Sequence, residues 1–224
     1  RTGMGSSGSF TVALLAALHA HKRKQVSIQD LAEEAHYVEA GRASQPAGKH
    51  DHYLGAFGGL TALEINPSGK VAVTPLLISE HVAEELPNSL VVFFTGIQRE
   101  SSDILTQQDR DTQASENAVI DSLHEIKQIG YDIRDALVEG DLDRFGHLMH
   151  KHWQTKKRRS KKMTNARIDR WYEQGIKSGA LGGKILGAGG GGFLMFYCPA
   201  EHRKHLREQM AEEGLIEMHF RFDM

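Results

Sequence analysis

The chain has 224 residues, 25% charged and 40% apolar, a balance that suits one or two folded domains and excludes disorder. A formal net charge of -2 and a pI near 6.7 leave no overall basic field, so neither nucleic acid nor a membrane surface is expected as a partner. The single cysteine, Cys198, excludes an internal disulfide framework and fits a reducing, cytoplasmic setting, and no apolar run approaches the ~20 residues of a membrane span.

The chain enters a glycine-rich stretch at Gly3-Met4-Gly5-Ser6-Ser7-Gly8-Ser9, directly ahead of a helical pattern over residues 10–21. A loop that cradles an anion is normally presented by a preceding strand, so a segment upstream of Arg1 is expected. Val12, Leu14, Leu15, Ala16 and Leu18 predict a broad buried face on this first helix. Residues 27–41 predict a second, with Ser27 as N-cap, Asp30 completing a variant capping box, and Gly41 near its end.

Residues 58–75 read as a hairpin around Asn66-Pro67-Ser68-Gly69, and residues 90–94 as a buried strand. The stretch 101–179 is helical in pattern, interrupted at Gly130, Gly140 and 161–164, which predicts three or four helices. Residues 184–186, 193–198 and 216–222 are strand-like, with a helix over 200–213 between the last two. Strands and helices mix without βαβ alternation, so the fold class is α+β, with a domain boundary between Pro75 and Leu90.

Three elements carry chemistry. The opening loop can turn backbone N–H groups toward an anion at the positive end of the following helix, and Ser6 and Ser7 can offer hydroxyl oxygens to phosphate or magnesium. It lacks the Lys-Ser/Thr ending of a Walker A loop, and a flexible lead-in to an N-cap explains the same residues. Glu39 and Asp51 are two carboxylates that phosphoryl transfer can divide between metal binding and orientation of the acceptor hydroxyl, although such residues in loops commonly face solvent. The third element is Lys184-Ile185-Leu186-Gly187-Ala188-Gly189-Gly190-Gly191-Gly192, whose glycines permit close approach of backbone or ligand. The basic run over 156–162 reads as a solvated helix face, and His147, His150 and His152 as exposed helix residues, because no further ligands in a metal spacing accompany them.

In order and spacing the three elements resemble the GHMP kinase superfamily, over essentially the whole chain from Gly3 onward. Gly48-Lys49-His50-Asp51-His52-Tyr53, Ala56-Phe57-Gly58-Gly59 and residues 94–105 look most like the D-glycero-D-manno-heptose 7-phosphate kinases. The family's first motif has no counterpart, so about a third of a family-sized chain is expected to be missing.

The resemblance implies a two-lobed fold: a truncated lobe like domain 2 of ribosomal protein S5 over residues 1–80, and a ferredoxin-like α+β lobe over 81–224. It implies ATP-dependent phosphorylation of a hydroxyl, the anomeric one, on a heptose 7-phosphate or similar sugar. Other acceptors of the superfamily (fucose, galactose, mevalonate) and a non-catalytic nucleotide-binding member are the alternatives. ATP is then expected along Gly3, Met4, Gly5, Ser6, Ser7 and Gly8 with Gly189, Gly190 and Gly191, Mg2+ at Ser7 and Glu39, Asp51 as the catalytic residue facing the sugar, and Arg99 on the sugar phosphate. A sugar or sugar phosphate is the implied partner, a homodimer is left open, and the loop, both carboxylates and the late glycines are expected to line one crevice.

Overall fold

The computed structural model describes residues 4–45, 47–97, 117–158 and 163–222. Arg99, Gly3 and the expected helical stretch over 101–116 lie outside the described residues. By their contacts the described residues form two compact units, one from Met4 to Leu76 together with Phe222, the other from Leu77 to Arg221.

The first unit opens with α1 (Ser6–His21), α2 (Ile28–His36) and a π-helical turn (Tyr37–Arg42). It continues with α3 (Lys49–Phe57) and the antiparallel hairpin β1 (Thr61–Ile65) and β2 (Val71–Pro75). Ser27 caps α2 as its sequence predicts, its hydroxyl oxygen accepting from the Asp30 amide at 3.0 Å while its O–H donates to the Asp30 carboxylate at 2.7 Å. The hairpin turn is held by Asn66, whose Oδ1 accepts from the amides of Ser68 and Lys70 at 3.0 Å each. Ala32, Tyr53 and Val71 form the buried centre, with Ala56, Phe57, Leu63 and Val73 packed against them.

Three expectations are corrected here. The second helix leaves α geometry after His36 and widens into the π turn, so the expected helix over 27–41 is two elements. Asp51, expected to follow a Pro/Gly-bearing loop with no element assigned to it, stands in α3, whose N-cap is Gly48 with no side-chain cap, so the sequence offers no start signal. On α1 only Val12 of the expected apolar face is buried, whereas Phe10, Leu14 and Leu18 are exposed. That helix is apolar almost all round, so its pattern cannot indicate which face meets α2 and α3.

The second unit contains α4 (Glu80–Ser89), β3 (Leu90–Phe94), α5 (Asn117–Glu139), α6 (Leu142–Arg158) and α7 (Ala166–Lys177). The hairpin strands β4 (Gly182–Ile185) and β5 (Phe193–Tyr197), then α8 (Ala200–Glu212) and β6 (Ile216–Glu217), complete it. The sheet order is β4-β5-β3-β6 with every neighbouring pair antiparallel, the order of a ferredoxin-like βαββαβ unit. The register sets Val91 opposite Phe196 and Phe93 opposite Leu194, so one face of the sheet presents these four with Ile185 to Trp153, Ile168, Trp171 and Leu206.

Helix α4 has no counterpart in the sequence reading; Ser79 caps its start and Pro87 is accommodated in its last turn. Helix α5 runs unbroken through Gly130, against the expected interruption, whereas Gly140, at φ 80°, does end it. Strand β6 is two residues long rather than the seven expected over 216–222. The basic end of α6 is tied down rather than merely solvated: Lys156 donates to the Gly187 carbonyl at 2.7 Å, Lys157 pairs with Asp169 at 3.2 Å, and Arg158 pairs with Glu125.

Candidate active site

In the first unit the chain turns at Gly5, whose φ of 64° is left-handed, and enters α1 with Gly5 as N-cap. The amide of Ser9 returns to the Gly5 carbonyl at 3.0 Å, while the first-turn N–H groups of Ser6, Ser7 and Gly8 have no partner within the helix, as at any helix start. Ser6 and Ser7 are exposed and Gly8 is buried. The first turn of α1 contains no acidic residue, so its positive end is not neutralised from within the helix.

A carboxylate beside that end comes from α3. A Cβ added to Gly5 would lie 3.0 Å from Asp51 Oδ1, and one added to Gly8 would lie 2.9 Å from Asp51 Cβ and 3.1 Å from its carbonyl carbon. Any side chain at Gly8 would therefore push α3 away from the loop. Asp51 stands in the first turn of α3, with its side chain 38% exposed and its Oδ1 3.4 Å from His50 Nε2. A partly exposed carboxylate is thus held against the N-terminus of a helix suited to bind anions.

The second expected carboxylate reaches the unit's interior from the π turn, which packs against both α1 and α2. Glu39 is 9% exposed, and its Oε2 lies 2.9 Å from Nε2 of the fully buried His52. His52 meets the ring of His36 edge-on, with centroids 5.3 Å apart. Burial, together with the neighbouring His52 and Lys49, pushes His36 below its ordinary value.

A further network clamps α3 to α2. Lys49 donates to both oxygens of Glu33 at 2.7 and 2.8 Å and to the Gly69 carbonyl at 2.7 Å. Tyr53 donates to Glu33 at 2.5 Å and accepts from Gln29. Burial alone would raise the Glu33 carboxyl, but the bonds from Lys49 and Tyr53 outweigh it and hold the group below its ordinary value, while burial and Glu33 push Tyr53 up.

The donors on the loop and beside it are hard oxygens, the Ser6 and Ser7 hydroxyls and the Asp51 carboxylate, and the π turn adds the oxygen of Glu39 that His52 does not occupy. This set fits magnesium, which is held by one or two carboxylates together with phosphate oxygens. Among the described residues no group of three or more His, Cys, Asp or Glu side chains is placed to hold a metal unaided. His150 pairs through Nδ1 with Tyr172 at 2.9 Å and His147 with the Asp143 carbonyl at 2.8 Å.

The late glycines belong to the second unit. Gly189 and Gly190 have φ of 101° and 74°, and a Cβ on Gly189 would lie 2.8 Å from Met163 Sδ. The Gly190 amide donates to the Met163 carbonyl at 2.6 Å and the Gly192 amide to that of Ile97 at 3.0 Å. The Gly192 carbonyl accepts from both the amide and the hydroxyl of Thr95, at 2.9 and 2.8 Å. These contacts supply a reason for the glycines that is internal to the fold.

His52 is the residue that sequence reasoning missed. It adjoins Asp51, but nothing local shows that the next residue round the helix turns inward to a carboxylate 13 positions earlier.

Comparison with known proteins matches the chain to two family models. The model of the GHMP kinases N terminal domain matches residues 1–59, and that of the GHMP kinases C terminal domain matches 133–215, together well over half of the chain. The D-glycero-alpha-D-manno-heptose 7-phosphate kinase of Campylobacter jejuni is 28% identical over 217 residues, covering 96% of this chain and 63% of its own. The bifunctional fucokinase/GDP-fucose pyrophosphorylase of Arabidopsis thaliana is 27% identical over 95% of this chain and 20% of its own. The crystal structure of a D-glycero-D-manno-heptose 1-phosphate kinase from Bacteroides thetaiotaomicron shares the fold with a TM-score of 0.76 at 24% identity, over 99% of this chain and 61% of that one. The chain therefore spans a little under two thirds of the length of these heptose kinases.

Proposed function

This chain belongs to the GHMP kinases, and from that premise we propose that the protein transfers the γ-phosphate of ATP to a sugar hydroxyl. A heptose 7-phosphate is the proposed acceptor and its anomeric hydroxyl the attacking group. The observation that carries the reading is the Asp51 carboxylate packed against Gly5 and Gly8 at the N-terminus of α1, where a transferable phosphoryl group and an acid–base group must meet. The sugar class is supported by the similarity to the Campylobacter heptose kinase along nearly the whole chain.

In this reading the triphosphate lies along Gly3 to Gly8 at the N-terminus of α1, and the helix dipole favours its charge. Asp51 accepts or orients the proton of the attacking hydroxyl, which meets the γ-phosphorus in line, so that no phosphoenzyme forms. Ser7 and Glu39 hold the magnesium ion, which supplies neutralisation of phosphate charge when bound. Gly189, Gly190 and Gly191 are assigned to nucleotide contact, and Arg99 to the phosphate that the sugar already carries. Residues 1–80 are assigned to the nucleotide-binding domain and 81–224 to the C-terminal domain.

The test is a panel of sugars and sugar phosphates incubated with ATP and Mg2+ and read by phosphorus NMR, which identifies both the acceptor and the hydroxyl modified. Asp51→Asn should cost roughly 10²–10⁴-fold in turnover while nucleotide binding persists, because the proton acceptor is lost and the shape is kept. Turnover by Asp51→Asn close to that of the parent refutes the assignment.

A further inference from the structure

Resting on the reading that Glu39 serves the magnesium site, we propose that His52 is a positioning residue that fixes the Glu39 carboxylate for the metal. His52 is fully buried, and its Nε2 lies 2.9 Å from Glu39 Oε2. An ionised carboxylate only accepts hydrogen bonds, so this nitrogen donates. The bond occupies one oxygen of Glu39 and fixes the direction of the other.

This contact is the polar anchor of the imidazole: Nδ1 is buried and makes no hydrogen bond among the described residues. A ring that merely filled space here would be better replaced by an apolar one, since burying an imidazole with a single polar bond costs free energy. The His36 ring, edge-on at 5.3 Å, limits its rotation. Carboxylates and histidines outside a metal's own ligands commonly orient those ligands in this way, and losing such a partner typically weakens metal affinity about 10–100-fold.

The position of His52 also ties the two carboxylates of the site together. Asp51 and His52 are consecutive on α3, where successive side chains point about 100° apart. One meets the loop at Gly5 and Gly8, the other meets Glu39 on the π turn. Helix α3 therefore sets the phosphate loop, the acid–base group and the proposed metal ligand in one frame.

The experiment measures AMP-PNP binding by titration calorimetry, with MgCl2 and with EDTA, for the parent protein, H52Q, H52N and E39Q, alongside thermal melts. A glutamine amide reaches the position of Nε2, whereas an asparagine amide falls a bond short. The expected result is that H52N and E39Q lose tenfold or more of the Mg2+-dependent part of binding and leave binding in EDTA unchanged. H52Q should stay within about threefold of the parent. If His52 only supports the fold, H52N melts lower but keeps the parent's Mg2+ dependence, and that result overturns the inference alone. If H52N does not fold, H52Q decides: Mg2+ dependence near the parent's supports the inference, and a tenfold loss at an unchanged melting temperature overturns it. A parent protein whose nucleotide binding ignores Mg2+ overturns the proposed function and this inference with it.

Discussion

The close approach of α1 and α3 makes Gly8→Ala the most informative single change. The added carbon would lie 2.9 Å from Asp51 Cβ, 3.1 Å from the Asp51 carbonyl carbon and 3.3 Å from the His52 amide nitrogen. Carbon atoms pack at about 3.5–4.0 Å, so the start of α3 must retreat by roughly half an ångström or more. Two of the three contacts are backbone and cannot rotate away. Overpacking of this kind costs ~1–3 kcal/mol, against a helix-propensity gain of at most about 1 kcal/mol for replacing glycine. With an overpacking cost near ~2 kcal/mol, the middle of that range, the net is a loss of roughly 1–2 kcal/mol, which lowers the melting temperature by about 2–8 °C for a chain of this length.

The same chemical change at Gly130 supplies the control. Gly130 is exposed in the interior of α5, and an added carbon would meet nothing within 4 Å among the described residues. Gly130→Ala should therefore stabilise by up to about 1 kcal/mol and raise the melting temperature by roughly 2–4 °C. Thermal and urea unfolding followed by far-ultraviolet circular dichroism read both signs. Gly8→Ala melting at or above the parent would refute the packing of Asp51 against the loop.

Ser7→Ala should weaken binding of the magnesium nucleotide while metal-free binding holds, which a Mg2+ titration checks; an unchanged dependence would point to Ser6 instead. Burial pushes the Cys198 thiol up to about 11, so a thiol reagent at neutral pH should leave the native protein unlabelled and react only on unfolding. Prompt labelling of folded protein would contradict that burial. Glu33 is held below its ordinary value of 4.5, so its contribution to stability is present above that pH and is lost as the pH falls through the lower folded value. Its side chain is 39% exposed, so the effect is modest. Lys49→Met should melt below the parent at neutral pH, with the gap narrowing below about pH 4.5; a gap independent of pH would rule out the Glu33–Lys49 pair as its source.

The segments read correctly from sequence are those whose signals lie within one turn of chain. Ser27 with Asp30, Asn66 in its turn, Gly140 after its helix, and the alternation through Val91, Phe93, Leu194 and Phe196 all act between near neighbours or through a period of two. The glycines and serines ahead of α1 and the two carboxylates could be picked out as candidates by residue type. Their geometry could not. Helix α3 starts without a capping side chain, so only its packing on α1 and α2 and the clamp of Lys49 and Tyr53 on Glu33 select it.

The sequence by itself determined that a glycine-led helix, two acidic residues and a second glycine run occur in an order shared with the GHMP kinases. Only the tertiary structure decided that Asp51 stands over Gly5 and Gly8, more than forty residues earlier, and that His52 turns inward to Glu39. The reason is physical. Propensity, capping and periodicity are properties of a few consecutive residues, whereas the direction in which a carboxylate points is set by contacts between distant segments, and those exist only once the chain has packed.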